Sequence, residues 1–221
     1  MTTAEPNAAS FHHPSTAAVS EPPRPAVPAT ARGQRTRRKL LDASEQVFGA
    51  MGYERASIVE ITRTAGVAQG TFYVYFPSKK DVFVELVWDL NHRLRAALRA
   101  ATATLDNPTR FEVERAGALA FLQFLTEHQS SYAIVRQSEF VDRDLFRDYY
   151  RRLSEGYRRA LEHAMDAGQI RRFDPEAAVY IMMGILDFVG MRWVLWEGRM
   201  PPQEVIEGML AFMRDGLKMR D

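Results

Sequence analysis

The sequence predicts an all-α fold. Three observations carry that reading: apolar residues recur at steps of three and four, helix-starting and helix-stopping residues bracket those segments, and the one aromatic run with strand propensity finds no second strand-like run to pair with. A chain of 221 residues, 46% hydrophobic and 26% charged, makes one ordinary domain or two small ones. It contains no cysteine, which excludes a disulfide framework, a thiolate zinc site and a cysteine nucleophile, and makes a reducing, cytoplasmic setting the default. No stretch approaches the ~18 to 20 consecutive apolar residues of a membrane span, and the N-terminus lacks the apolar core of a signal peptide, so no membrane partner is expected.

Residues 1–30 hold six of the eleven prolines and seven alanines, with Phe11 almost alone as a large apolar residue. Such a segment cannot offset its ordering entropy and reads as a disordered Pro/Ala-rich tail. It leads into Arg32, Arg35, Arg37, Arg38 and Lys39, a cationic run open to two readings, a solubilising arm or a phosphate contact.

From about Arg35, Leu40, Leu41, Ser44, Val47, Phe48 and Met51 keep the period of an amphipathic helix until Gly52 supplies a left-handed stop. Ser57 and Glu60 stand in the S-x-x-E relation of a capping box, so a second helix starts at about Ile58 and ends at Ala65 and Gly66. Gln69 to Phe76 reads as a short helix stopped by Pro77, and Ser78 with Asp81 opens a longer one, with Val82, Phe83, Leu86, Val87, Leu90, Leu94, Ala97 and Leu98 along its apolar side. Residues 31–80 thus form a three-helix N-terminal domain, 81–98 a connecting helix, and 99–221 a second helical domain.

Two short helices joined by Ala65-Gly66-Val67-Ala68 and backed by an amphipathic helix make a helix-turn-helix pattern. Gly66 allows the sharp turn at positive φ, and Val67 plugs the angle between the helices. The second short helix then presents Gln, Thr and Tyr side chains, which offer donors, acceptors and a methyl group to base edges in a major groove. Thr36 to Leu98 resembles the DNA-binding domain of the TetR family of bacterial transcriptional regulators through Ala65-Gly66-Val67, Gly70-Thr71-Phe72-Tyr73-Val74-Tyr75-Phe76 and Ser78-Lys79-Lys80-Asp81. The resemblance implies that Gln69, Gly70, Thr71, Tyr73 and Tyr75 face DNA, that Lys79 contacts a phosphate, and that Ser57 caps a helix whose N-terminus approaches the backbone. Phe72 and Phe76 read as core. For Tyr73 and Tyr75 core packing is the competing reading.

Beyond residue 99 the expected helices are 110–128, 131–140, 143–167, 175–197 and 202–219, punctuated by Gly168, Asp174-Pro175 and Pro201-Pro202. The helix at 175–197 is apolar nearly all round and is expected to be buried on every side, against its own core and against a second subunit. The resemblance implies a homodimer in which this helix and 202–219 form a four-helix bundle; Gly184 and Gly190 would permit close approach at that seam or be merely tolerated there. It also implies an effector pocket. Phe121, Phe124, Leu125, Tyr132, Val135, Phe146, Tyr149, Tyr150 and Phe188 are its candidate lining, with plain core packing the alternative for each. Asp187, Arg192, Glu139 and Asp142 are polar candidates within or beside apolar stretches, and Asp187 and Arg192 read better as members of structural ion pairs.

Residues 31–98 carry 11 Lys+Arg against 7 Asp+Glu, and residues 99–221 carry 17 against 19, so positive charge gathers in the front third. His12, His13, His92, His128 and His163 hold no metal spacing, and neither a nucleophile elbow nor a glycine-rich phosphate loop is present; no catalytic residue, metal or cofactor is expected. An architectural, non-specific DNA binder without an effector is the competing reading, and a net charge of +1 weighs against it. The expectation is a homodimeric, sequence-specific regulator, a repressor that leaves an inverted-repeat double-stranded operator when a small, largely apolar effector binds, cytoplasmic and nucleoid-associated when on DNA.

Overall fold

A computed structural model describes residues 30–218 of the chain. The expected tail at 1–30 therefore lies outside the described residues except for Thr30. The described chain is all-α: α1 (Ala31–Met51), α2 (Ile58–Ala65), α3 (Gln69–Tyr75), α4 (Lys79–Ala103), α5 (Arg110–Glu127), α6 (Gln129–Val141), α7 (Arg143–Asp166), α8 (Pro175–Gly190) and α9 (Gln203–Leu217), with α8 continuing into a π-helical turn at Met191–Leu195.

Side chains set most of the helix starts. Thr30, Ser57, Ser78, Thr109, Asp142 and Asp174 each accept a hydrogen bond from the backbone amide three residues on. Thr30 explains why α1 begins four residues before the expected Arg35. At Thr109 both halves of a capping box form, whereas at Ser57 only the serine half does, because the Glu60 carboxylate turns to Arg63 at 2.7 Å. Gly52, Gly66 and Gly168 end helices at positive φ.

α4 is the axis of the molecule. It starts two residues before the expected connecting helix and runs five beyond it, so it belongs to both halves of the chain. Its first half packs with α1, α2 and α3 in a core that includes Leu40, Phe48, Ile61, Phe72, Phe76, Phe83 and Val87. That core does not stop at the DNA-binding helices: Ile134 and Val135 of α6 and Leu145 and Tyr149 of α7 are buried in it too. A second core joins α5, α7, α8 and α9 around Leu122, Leu161, Val179 and Leu210.

α8 is covered on one side only in the single chain. Ala178, Val179, Met182 and Gly190 are buried, but Ile181 is 62% exposed and Phe188 66%, and Phe212 of α9 is 71% exposed. A single chain lacks enough neighbours to cover both sides of an apolar helix at this edge. Pro175–Leu195 is also long and apolar enough to cross a membrane by length and composition. Counting unbroken apolar residues misses this, because Asp187 and Arg192 interrupt a segment that is apolar on average. Gly190 serves a close approach inside the protomer: a Cβ there would lie 2.7 Å from Leu125 Cδ1 of α5, while one at Gly184 would meet nothing within 4 Å.

The left-handed Gly66, at φ 67 and ψ 37, sets the angle between α2 and α3. Gly66→Ala is expected to lower the unfolding free energy by about 1–2 kcal/mol in urea titration, since an L side chain is strained there; an unchanged midpoint would show the turn is not held left-handed in solution.

Candidate functional site

The helix-turn-helix is held from beneath by two aromatic rings. Phe72 and Phe76 are fully buried, 5.6 Å apart, and fix α3 against α1 and α4. One helical step round, Gln69 and Gly70 are exposed, Thr71 is half-buried, and Tyr73 is 53% exposed with its ring edge-on to Phe72. Gln69, Gly70 and Tyr73 are thus open to solvent, and Thr71 partly so. Tyr75 differs: it is half-buried and packs against the core, so of the two readings open to it the structure favours packing. Val74, 76% exposed, is an apolar residue of α3 that the motif alone does not single out.

Lys79 is engaged inside the domain rather than extended to solvent. Its Nζ donates to the carbonyls of Tyr53 at 2.9 Å, Glu54 at 3.4 Å and Ala56 at 3.0 Å, and sits 4.4 Å from the centre of the Tyr53 ring. An ammonium has three N–H bonds, and all three are used. In the DNA-free chain Lys79 ties the α1–α2 loop to the start of α4. The cationic run divides similarly. Arg37 pairs with Glu85 and lies over the Phe76 ring, and Arg38 pairs with Asp42 and Asp89, whereas Arg32, Arg35 and Lys39 stand exposed along one side of α1.

The second site is a cavity of about 470 Å³ enclosed by α4, α5, α6, α7 and α8. Phe121, Phe124, Leu125, Tyr132, Val135, Tyr149 and Tyr150 line it as expected. Phe146 and Phe188 do not: Phe146 packs edge-on against the far side of Tyr150 with ring centres 4.9 Å apart, and Phe188, one residue and 100° beyond the lining Asp187, points outward. Glu139 and Asp142 are also outside the lining. Asp142 caps α7 and pairs with Lys80 at 2.9 Å; burial raises its carboxyl pKa, but the Lys80 ammonium and the amides of Leu145 and Asp144 outweigh this and hold it below the usual value.

Composition of the wall is mostly apolar with polar groups at both ends. At one end Tyr132 donates to Asp187 at 2.8 Å, and Asp187 also pairs with Arg136 at 3.4 Å, so the expected ion pair forms with α6. Arg192 pairs with Glu197 instead and stays out of the cavity. Toward the other end Arg110 and Glu114, both nearly buried, form an i,i+4 pair on α5, and the Tyr157 hydroxyl donates to Glu114. Burial raises the Tyr157 phenol pKa first, and the Glu114 charge raises it further.

The two sites share α6. On one side α6 meets α1: a Cβ on Gly49 would lie 2.6 Å from Ser130 Cβ, Ser131 donates to Glu45 at 2.7 Å, and the Gln137 side-chain oxygen accepts from the Tyr53 amide at 2.7 Å. On the other side it gives Tyr132 and Val135 to the cavity.

Residues 40–86 match the family described as "Bacterial regulatory proteins, tetR family", and residues 115–217 match "Tetracyclin repressor-like, C-terminal domain". The chain belongs to the TetR family. Among relatives, the HTH-type transcriptional regulator YdgC of Bacillus subtilis is 38% identical over 29% of this chain and 33% of its own length, so the chain aligns with about a third of that protein. The regulator YhgD of the same organism is 26% identical over 79% of this chain and 92% of its own length; the B. subtilis fatty acid metabolism regulator protein is 23% identical over 81% and 94%. In structure, the fatty acid degradation regulator FadR from Bacillus halodurans superposes with a TM-score of 0.74 at 20% identity, covering 84% of this chain and 97% of that one. FadR from B. subtilis, in complex with stearoyl-CoA, superposes with 0.68 at 20% identity over 81% and 98%. The TetR chain described here is a DNA-binding transcriptional regulator, and its relatives are regulators rather than enzymes.

Two parts of the TetR site escape sequence reasoning. The α4 wall (Leu90, Leu94, Leu98) is visible as an apolar side, but its length hides that it spans both domains. The Arg110 and Glu114 pair carries an i,i+4 spacing that was available as a signal. For Lys79→Ala the expected result is a loss of about 1–3 kcal/mol of stability in thermal or urea unfolding, with little change in the salt slope of DNA binding. A variant of unchanged stability whose salt slope falls by about one would restore the phosphate contact.

Proposed function

We propose that this TetR-family regulator is a homodimeric repressor that sits on an inverted-repeat operator and is released when a small, largely apolar molecule fills the cavity. The observation that carries the reading is α6, which touches α1 of the DNA-binding domain through one side and lines the cavity through the other. A molecule that prefers one placement of α6 biases the placement of α1 and hence of α3, and coupling of ~1–3 kcal/mol is ordinary for such devices. That relatives include a fatty acid metabolism regulator and a FadR bound to stearoyl-CoA supports an acyl chain as one candidate occupant.

The outward apolar face of α8 and α9, with Ile181, Phe188 and Phe212, supports a second copy as its cover. A two-fold dimer presents two α3 helices to half-sites about one helical turn apart. The chain then works as a cytoplasmic protein, with its apolar helix buried between subunits rather than in lipid.

Fluorescence anisotropy with the DNA flanking its own gene is expected to show binding at least ~10³-fold tighter than to random duplex. Equal binding to both would favour a non-specific binder. Thr71→Ala or Tyr73→Ala is expected to weaken operator binding by about 1–3 kcal/mol without changing the dimer. Phe188→Glu is expected to yield monomers in analytical ultracentrifugation and to abolish tight operator binding; a variant that stays dimeric would place the seam elsewhere. Repression itself is read by in vitro transcription from the bound promoter, where added protein should lower the transcript and raised output would make the protein an activator.

A further inference from the structure

Polar groups along the cavity are satisfied within the protein with two exceptions of different kinds. Arg99 and Arg159 line it without an ion pair among the described residues, and both are exposed, which marks the mouth. Tyr149 and Tyr150 line it from the buried end, Tyr149 only 6% exposed, and among the described residues neither hydroxyl has a hydrogen-bond partner. Both hydroxyl oxygens keep open surface and so face the cavity; an occupant that covered them without offering an acceptor would leave buried donors unpaired, which is costly.

The rest of that end decides what would pair with them. Tyr132 is already committed to Asp187, and Asp187 is balanced by Arg136. Burial raises both phenol pKa values, and the Asp187 carboxylate raises them further, with Arg136 opposing it in part at Tyr150. Both therefore stay protonated and act as donors, and the charged pair beside them, Asp187 with Arg136, is already balanced. From Tyr149 to Ala160 along α7 is about 16 Å at ~1.5 Å per residue, so the arginine mouth and the tyrosine end are well separated.

We infer that Tyr149 and Tyr150 are specificity-determining residues that receive a neutral oxygen acceptor, a ketone, ester or hydroxyl, at the buried end of an elongated apolar effector. The inference rests on the reading of the cavity as the effector site. It also connects recognition to DNA binding, because Tyr149 belongs to the core that holds α1 and α4, and its carbonyl accepts from Asn91 of α4 at 3.1 Å. A plain hydrocarbon terminus would leave both hydroxyls unmet.

Three probes with one aromatic body separate the alternatives: 2-acetylnaphthalene with a neutral acceptor, 2-ethylnaphthalene without one, and 2-naphthoate with an anion. Isothermal titration calorimetry of the full chain is expected to give the ketone about tenfold tighter binding than either of the others, the usual effect of one buried neutral hydrogen bond. In the double variant Tyr149→Phe with Tyr150→Phe, checked for folding by circular dichroism, the ketone should fall to within twofold of the hydrocarbon while the hydrocarbon is unchanged. If the double variant does not fold, Tyr150→Phe alone should lose about threefold for the ketone only. Equal binding of ketone and hydrocarbon to the natural chain, tighter binding of naphthoate, a preference that survives removal of the hydroxyls, or no binding of any probe overturns the inference. Operator anisotropy with and without the ketone is read separately: binding without release sinks the proposed release mechanism and leaves the tyrosine assignment standing.

Discussion

Everything in this molecule turns on the packing of α6 against α1. The approach is close because Gly49 has no side chain where Ser130 needs the room, and polar bonds at both ends of the contact fix its register. Packed interiors resist small continuous shifts, so two helices joined this way move together. The DNA-binding helices consequently do not own a core of their own: Ile134, Val135, Leu145 and Tyr149 complete it from the C-terminal half.

Around that contact, charge is used for position. Glu45 of α1 accepts from Arg93 of α4 at 2.6 Å and from Ser131 of α6, bringing three helices to one carboxylate. Lys79 does comparable work for the α1–α2 loop, and Lys80 links the start of α4 to the cap of α7 through Asp142. Half-buried bonds to charged groups hold geometry better than exposed ion pairs do. Three further cations, Arg32, Arg35 and Lys39, stand exposed along one side of α1.

The C-terminal half solves a different problem. Its helices enclose a cavity instead of closing on it, so some stabilisation that tight packing would supply is given up for a space with polar groups at each end. Its outer helices meanwhile carry more apolar surface than one protomer covers. α8 thus carries a cavity wall on one side and an uncovered apolar face on the other, within one helix diameter.

Helix periods, caps and stops are local properties, and the all-α fold, nearly every helix and the helix-turn-helix were legible in the chain because Ser57, Gly66, Pro77, Ser78 and Pro175 act within a few residues of themselves. The TetR resemblance pointed to the exposed Gln69, Gly70 and Tyr73, and aromatic and apolar content pointed to seven residues of the cavity wall. Direction was beyond reach. Whether Lys79 reaches out or folds back, whether Tyr75 or Tyr73 is buried, and whether Phe188 lines a cavity or faces away depend on neighbours many residues distant and on rotations of about 100° per residue. A sequence states which side chains are present at each turn of a helix; only the packed helices settle which of its sides meets protein, cavity, partner or solvent.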